Sequence, residues 1–158
     1  MAHVVVCLSS PCVDGPSVCT GIEWSADGSV LAACQAGSAV VVLWSSDTHK
    51  VQYLDTNIKD VSTLAWSHFG LQVRNHARSK CSVVAVSLLT VLCGQLAIAT
   101  GKGTLLLYNH ATAARSTCPN RHKQRIVCVA WGEDDKVVAF ASEDKQVRVV
   151  VRCEVGFP

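Results

Sequence analysis

Residues 21–44 read GIEWSADGSVLAACQAGSAVVVLW, and this stretch decides the fold. An apolar run ends at Trp24, a second covers residues 30–34, and a third covers residues 39–44. Turn-forming Gly, Ser and Asp residues separate the three runs, and Gly28 is free to take a positive φ. Short apolar and β-branched runs bounded in this way are typical of strands. The stretch therefore predicts three short strands joined by turns.

Two later stretches repeat this unit, LAWSHFG at residues 64–70 and CVAWGEDD at residues 128–135. The interval from Trp24 to Trp66 lies within the period of roughly 40–45 residues that is typical of WD-type propeller repeats. The interval from Trp66 to Trp131 is longer. We therefore expect an all-β chain, a partial β-propeller of about three WD-type blades that is not closed.

The second interval exceeds the first by the length of the segment 73–95, and removing that segment restores the period. The same removal restores the Gly-x-x-Leu pattern of the first unit. The segment begins Val-Arg and ends in Gln, residues whose codons can carry the usual first and last bases of an intron. One hypothesis, which we favour, is an intron retained in frame; the alternative is a genuine surface loop, which propellers tolerate. The expected organisation is a leader at 1–19, a propeller at 20–150 interrupted at 73–95, and a tail at 151–158.

Composition limits the classes of partner. Hydrophobic residues make up 49% and charged residues 16% of the chain, against roughly 25% charged in an average domain, so apolar surface must be covered. A net charge of +2 argues against nucleic acid and anionic membranes as partners. The longest apolar run, at 82–93, is well short of the roughly 20 residues that a bilayer span needs. We expect a soluble cytoplasmic chain without membrane insertion.

Neither the nine cysteines nor the six histidines form a recognisable catalytic or metal-binding pattern. No Cys-x-x-Cys pair occurs, and Cys34 and Cys128 lie in apolar strand patterns typical of small buried side chains. No Gly-x-Ser-x-Gly or His-Glu-x-x-His motif is present, and Gly101-Lys102-Gly103 precedes a strand rather than a helix. We expect no catalytic, cofactor-binding or metal-binding residues and a reduced intracellular protein.

Two other features concern binding and blade packing. Arg121, His122, Lys123 and Arg125 form the densest basic cluster. They are interpreted either as a solvated loop between blades or as a partner-binding loop for an acidic protein.

Trp44 and Tyr108 end third strands, where a large flat side chain packs between neighbouring blades. Val150 replaces the aromatic residue in the third unit.

Several of these motifs resemble one protein family. GIEWSADGSVLA, LAIATGKGTLLLYNH, RIVCVAW and SEDKQVRV are similar to the amino-terminal propeller of the large WD-repeat subunit of intraflagellar transport complex A. The Lys-Gly-x-Leu-Leu-x-Tyr-Asn-His run falls at residues 102–110, and the Glu-Asp-Lys turn falls at residues 143–145. The resemblance covers residues 20–72 and 96–150.

This resemblance implies a non-catalytic scaffold in retrograde ciliary transport and cilium assembly, located in the cilium or flagellum and at the basal body. The implied partners are other complex A subunits, complex B trains and, indirectly, the dynein motor. Family members are much longer and carry a helical solenoid, so we expect a truncated piece that does not fold alone. Two alternatives stay open: a WD-repeat adaptor of a vesicle coat or ubiquitin ligase, and a metal- or thiol-dependent enzyme using the cysteines.

Overall fold

The structure, a computed structural model, describes residues 18–68, 94–118, 122–133 and 135–151. These residues form eleven strands in three antiparallel sheets. In chain order the strands are β1 (Cys19–Trp24), β2 (Val30–Gln35), β3 (Val40–Ser45), β4 (Val51–Asp55), β5 (Val61–Trp66), β6 (Gln95–Thr100), β7 (Leu105–Asn109), β8 (Arg115–Thr117), β9 (Ile126–Trp131), β10 (Val137–Ser142) and β11 (Val147–Val151).

Each sheet is one blade, in which every strand pairs with its neighbour in sequence. Blade A has the order β1-β2-β3-β4, blade B has β5-β6-β7-β8, and blade C has β9-β10-β11. The sheets do not close on one another, so the predicted partial propeller of three blades is confirmed. Strand β8 was not predicted: its residues are polar and exposed, and an outer strand of that kind leaves no apolar alternation in the sequence.

The repeat is visible in the backbone as well as in the tryptophans. The first strand of each blade carries a β-bulge, at Thr20 in β1, at Ser62 in β5 and at Val127 in β9. The intervals between these bulges equal the intervals between Trp24, Trp66 and Trp131. A bulge inserts one residue at a defined place in a ladder. The three blades are therefore copies of one unit in register.

Most of the predicted insertion lies outside the described residues. Of residues 73–95, the structure describes Gly94, which has a φ of 68°, and Gln95, which opens β6 opposite Asn109. Cys19 opens β1 and Val151 ends β11, whereas residues 1–17 and 152–158 lie outside. The boundaries of leader, insertion and tail stay predictions.

The turn after β1 is built as the sequence indicates. One carboxylate oxygen of Asp27 accepts hydrogen bonds from the hydroxyls of Ser25 and Ser29, both at 2.7 Å, and from the Ser29 NH at 3.1 Å. Gly28 takes a φ of 69°, in the left-handed region that favours glycine. The side chain of Asp27 thus organises the turn through hydrogen bonds to two residues within it.

The core lies between the blades. One apolar cluster joins blades A and B and includes Cys34, Leu43, Trp66 and Tyr108. A second cluster joins blades B and C. Tyr108 is only 2% exposed and lies in the cluster that joins blades A and B, as predicted. Trp44, for which the same place was predicted, is half-buried and instead contacts Trp24 of its own blade edge to face, at 5.9 Å between ring centroids.

Candidate protein-interaction site

The basic loop before β9 is the candidate site that the sequence singles out. The Lys123 side chain is exposed and Arg125 is half-buried, whereas His122 is buried. Arg121 lies outside the described residues. Lys123 and Arg125 are therefore the described residues of this loop that can present positive charge to an acidic partner.

His122 anchors the loop instead of facing solvent. Its Nδ1 lies 2.9 Å from a carboxylate oxygen of Asp144, and its ring meets Phe140 edge to face at 5.1 Å between centroids. Its backbone NH donates to the carbonyl of Gly103, at 2.9 Å. Because an ionised Asp144 can only accept, Nδ1 of His122 carries a hydrogen atom and donates a hydrogen bond to that oxygen. The loop is thus tied to the β10–β11 turn and to blade B.

The ionisation of Asp144 follows from these contacts. Partial desolvation acts to raise its pKa, but hydrogen bonds from the His122 ring and from the backbone NH groups of Gln146 and Lys123 act to lower it. The net effect is a pKa below the ordinary value of an aspartate, because bonds that stabilise the carboxylate outweigh desolvation. Asp144 is therefore a carboxylate at neutral pH and holds Lys123 in place.

A second group of titratable residues lies where blades A and B meet. The Glu23 carboxylate accepts a hydrogen bond from the backbone NH of Trp66, at 3.0 Å. Burial raises the pKa of Glu23, although the Trp66 bond and the charge of His68 act in the opposite direction. Burial likewise lowers the pKa of His110, against the charge of Asp27. The hydrogen bond of Glu23 joins the two blades, which is a structural role.

In the described ranges, no three His, Cys, Asp or Glu side chains cluster so that they could hold a metal ion. Within the same residues, no helix has the length and hydrophobicity to cross a bilayer.

The cysteines differ from expectation at one position. Cys34 is fully buried, as predicted, and burial raises its pKa to about 11, so its thiol stays protonated at neutral pH. The prediction that Cys128 is buried is wrong, since Cys128 is exposed. It lies in a strand pattern like that of Cys34, but on the face of blade C that no other described blade covers. The strand pattern could not reveal this difference.

Two apolar sheet faces are exposed in the described chain, and the sequence did not identify the residues that form them. The outer face of blade A, turned away from blade B, exposes Ile22 at 64%, Trp24 at 47% and Tyr53 at 53%. The outer face of blade C exposes Val147 and Val149, at 69% and 58%. Composition indicates that some apolar surface needs a cover, but only the blade order identifies which faces these are.

The comparisons with known proteins agree with this architecture. No protein-family model matches the chain. The chain is 31% identical to WD repeat-containing protein 19 of Homo sapiens and 30% identical to that of Mus musculus, in each case over 135 residues. Those residues are 85% of this chain and 8% of each relative, so the chain spans a small part of the curated relatives it matches.

A solved structure is similar at the level of fold alone. The crystal structure of the computationally designed Ika8 protein superposes with a TM-score of 0.60 at 12% sequence identity. The match covers 85% of this chain and 33% of that one.

Proposed function

This chain belongs to the WD-repeat family, and from that premise we propose that it is a non-catalytic scaffold of intraflagellar transport complex A, acting in retrograde ciliary transport and cilium assembly. The observation that carries the proposal is the 31% identity to WD repeat-containing protein 19 over 85% of the chain. The motifs at residues 102–110 and 143–145, which resemble the complex A subunit, support it. Such a protein acts by binding other proteins.

The geometry of the basic loop supports a binding role. The loop carries Lys123 and Arg125, and its backbone is anchored by the contact of His122 with Asp144 and by the hydrogen bond from the Lys123 NH to Asp144. Preorganised charge of this kind favours an acidic partner through faster encounter and correct orientation. We place the partner among the other complex A subunits, with complex B trains and the dynein motor engaged through the assembly. The proposed location is the cytoplasm, the cilium or flagellum, and the basal body.

The experiment is affinity purification of the tagged chain from ciliated cells, followed by mass spectrometry. We expect complex A subunits to be enriched over a tag-only control. The double variant Lys123→Glu and Arg125→Glu should lose most of that enrichment. The control is Lys50→Glu, which reverses one charge on an exposed residue of blade A. This variant should retain the enrichment of complex A subunits.

Other outcomes identify the alternatives. Enrichment of vesicle-coat or ubiquitin-ligase subunits, with complex A absent, would replace the proposal with a different WD-repeat adaptor. Retention of complex A by the double variant would keep the scaffold role but remove the basic loop from its interface.

A further inference from the structure

A cavity of about 300 Å³ lies where blade A meets the loop that follows β7 of blade B. Its apolar lining comes from blade A and consists of Val30 and Leu43, which are buried, and Val51. His110 is the lining residue that blade B contributes. The volume is at the lower end of the roughly 300–1,000 Å³ that is typical of small-molecule sites. The cavity is therefore large enough for one small ligand, and both blades that form it are described in the structure.

The polar part of the lining supplies hydrogen-bond donors. It includes Ser45, Thr48 and Lys50, at the end of β3 and in the turn that leads to β4. The Thr48 NH donates to the Ser45 hydroxyl oxygen at 3.4 Å, so the hydroxyl hydrogen of Ser45 is left to donate to another group. The Lys50 ammonium is a donor that also carries a positive charge. Among the described residues, no Asp or Glu lines the cavity, which therefore suits an anionic acceptor.

Two buried polar atoms beside the cavity have no hydrogen-bond partner among the described residues. They are Nδ1 of His110 and Nε1 of Trp66, and the two rings meet edge to face at 6.2 Å between centroids. The corresponding indole of blade C is satisfied, because Trp131 donates its NH to the carbonyl of Ala65 at 2.9 Å. The junction of blades A and B therefore has hydrogen-bonding capacity that the described chain does not use.

The charge of the cavity comes from Lys50 and not from His110. Burial lowers the pKa of His110 below its ordinary value, although the charge of Asp27 acts to raise it, so the imidazole is neutral at neutral pH. A neutral imidazole has one NH, which can be placed on Nδ1. Asp27 does not line the cavity, and its Oδ1 already accepts hydrogen bonds from the hydroxyls of Ser25 and Ser29.

The turn of blade A does not need the positive charge of Lys50 for its own structure. In this turn the Ser45 NH donates to the Lys50 carbonyl at 3.0 Å. In the matching turn of blade B the Asn109 NH donates to the Ala114 carbonyl at 2.9 Å. An alanine thus occupies the place of the lysine in an equivalent turn, so the ammonium of Lys50 is available to bind a ligand.

We propose that this cavity binds a small monocarboxylic acid with a short aliphatic chain. Its carboxylate accepts hydrogen bonds from Lys50, Ser45 and His110, and its chain packs on Val30 and Leu43. An ionised carboxylate only accepts hydrogen bonds, and its bonds to an ammonium are stronger than those between neutral groups. The cavity is next to the β3–β4 turn, whereas the basic loop before β9 contacts the β6–β7 turn at the other end of the strands. The inference therefore does not depend on the transport role.

The test is ligand-observed NMR of the full chain with 4-methylpentanoate, and 4-methylpentanamide is the uncharged probe of the same shape. We expect saturation transfer from the protein to the methyl groups of the acid. Because hydrogen bonds to charged groups are the stronger ones, the acid should bind at least about tenfold more tightly than the amide. Equal affinity of the two probes, or no saturation transfer to the acid at millimolar concentration, would overturn the proposal.

Two variants and a matched control connect the binding to the cavity. Lys50→Met keeps the stem and removes the charge, so it should weaken the acid at least about tenfold and leave the amide unchanged. His110→Phe keeps a ring and removes Nδ1, so it should weaken the acid by a smaller factor. Lys59→Met, on an exposed residue between β4 and β5, should change neither affinity. Wild-type affinity of Lys50→Met for the acid would overturn the proposal even if His110→Phe fails to fold.

The same carboxylate could instead come from the last residue of a peptide, and N-acetyl-leucine is the probe for that source. The cavity volume suits a whole acid of the size of 4-methylpentanoate, so we expect the bulkier N-acetyl-leucine to bind more weakly. Tighter binding of N-acetyl-leucine that depends on Lys50 would overturn the free-acid proposal in favour of a peptide terminus. Loss of complex A enrichment in the affinity purification would leave all of these binding results unchanged.

Discussion

The pair of His122 and Asp144 fixes the loop before β9 through one side-chain hydrogen bond and one ring contact. Both residues lie where blade C meets the β6–β7 turn of blade B, and Gly103 accepts a bond from the His122 backbone. A buried imidazole with a polar partner on one nitrogen is well suited to hold a loop. Lys123 is presented to solvent as a consequence.

We predict that the contribution of Asp144 depends on pH. Its pKa in the folded chain is below the ordinary value, so its stabilising effect is present above about pH 4, the unperturbed value. That effect is lost as the pH falls through the lowered pKa. Asp144→Asn should therefore lower the unfolding midpoint at pH 7 and have a diminishing effect towards pH 3. Denaturant unfolding at fixed chain concentration measures this, with exposed Asp47→Asn as the control; an equal deficit at both pH values would contradict the prediction.

Gly103 and Gly28 provide a matched pair of turn glycines. Both have a positive φ, 76° and 69°, which costs an L-residue roughly 1–2 kcal/mol. A Cβ at Gly28 meets open space, whereas a Cβ at Gly103 would lie 2.2 Å from the carbonyl oxygen of His122. We predict that Gly28→Ala destabilises by about 1 kcal/mol and Gly103→Ala by at least about 3 kcal/mol. Chemical denaturation measures both losses of unfolding free energy. Equal losses in the two variants would contradict the prediction that the close approach at Gly103 is costly.

Strand β1 is the element that brings charge into a blade junction. Glu23 extends from it to the Trp66–Leu96 pair of the β5–β6 ladder and accepts the Trp66 NH. The corresponding positions in the other two first strands are Ala65 and Ala130, so blade A alone among the described blades carries a carboxylate there.

We predict that Glu23→Gln stabilises the chain at neutral pH. Burial raises the pKa of Glu23, so its ionised form is disfavoured in the folded state, and this cost appears as the pH rises through the raised pKa. Glutamine keeps an oxygen acceptor for the Trp66 NH without the charge. The melting temperature of the variant should exceed that of the wild type at pH 7 and approach it near pH 4. Glu23→Ala, which removes the acceptor, should be destabilising at both pH values.

The three described blades, joined by two interfaces, leave one apolar face of blade A and one of blade C exposed. Solvent-exposed patches of this kind mark interaction surfaces or aggregation sites in soluble proteins. Among the described residues, these two outer faces lack the cover that the faces between neighbouring blades have.

We predict that the melting temperature of the 158-residue chain rises with its concentration. Association that buries apolar faces stabilises the folded state by mass action. A tenfold increase in concentration should raise the midpoint measurably, and at low concentration, where the apolar faces stay uncovered, the transition should be broader. A sharp transition of a monomer at a midpoint independent of concentration would contradict this prediction.

The strand positions, the turns and the repeat period could be predicted from the sequence because they depend on local properties. Period-two apolar patterns, turn-forming residues and the spacing of the repeated tryptophans all act within a few residues or recur along the chain. Tertiary structure decided the rest. Cys34 and Cys128 have similar strand contexts, yet a neighbouring blade covers only the first, and His122 is buried because Gly103 and Phe140 surround it. Burial depends on which face lies opposite, and the pattern of a single strand contains no information about its distant neighbour.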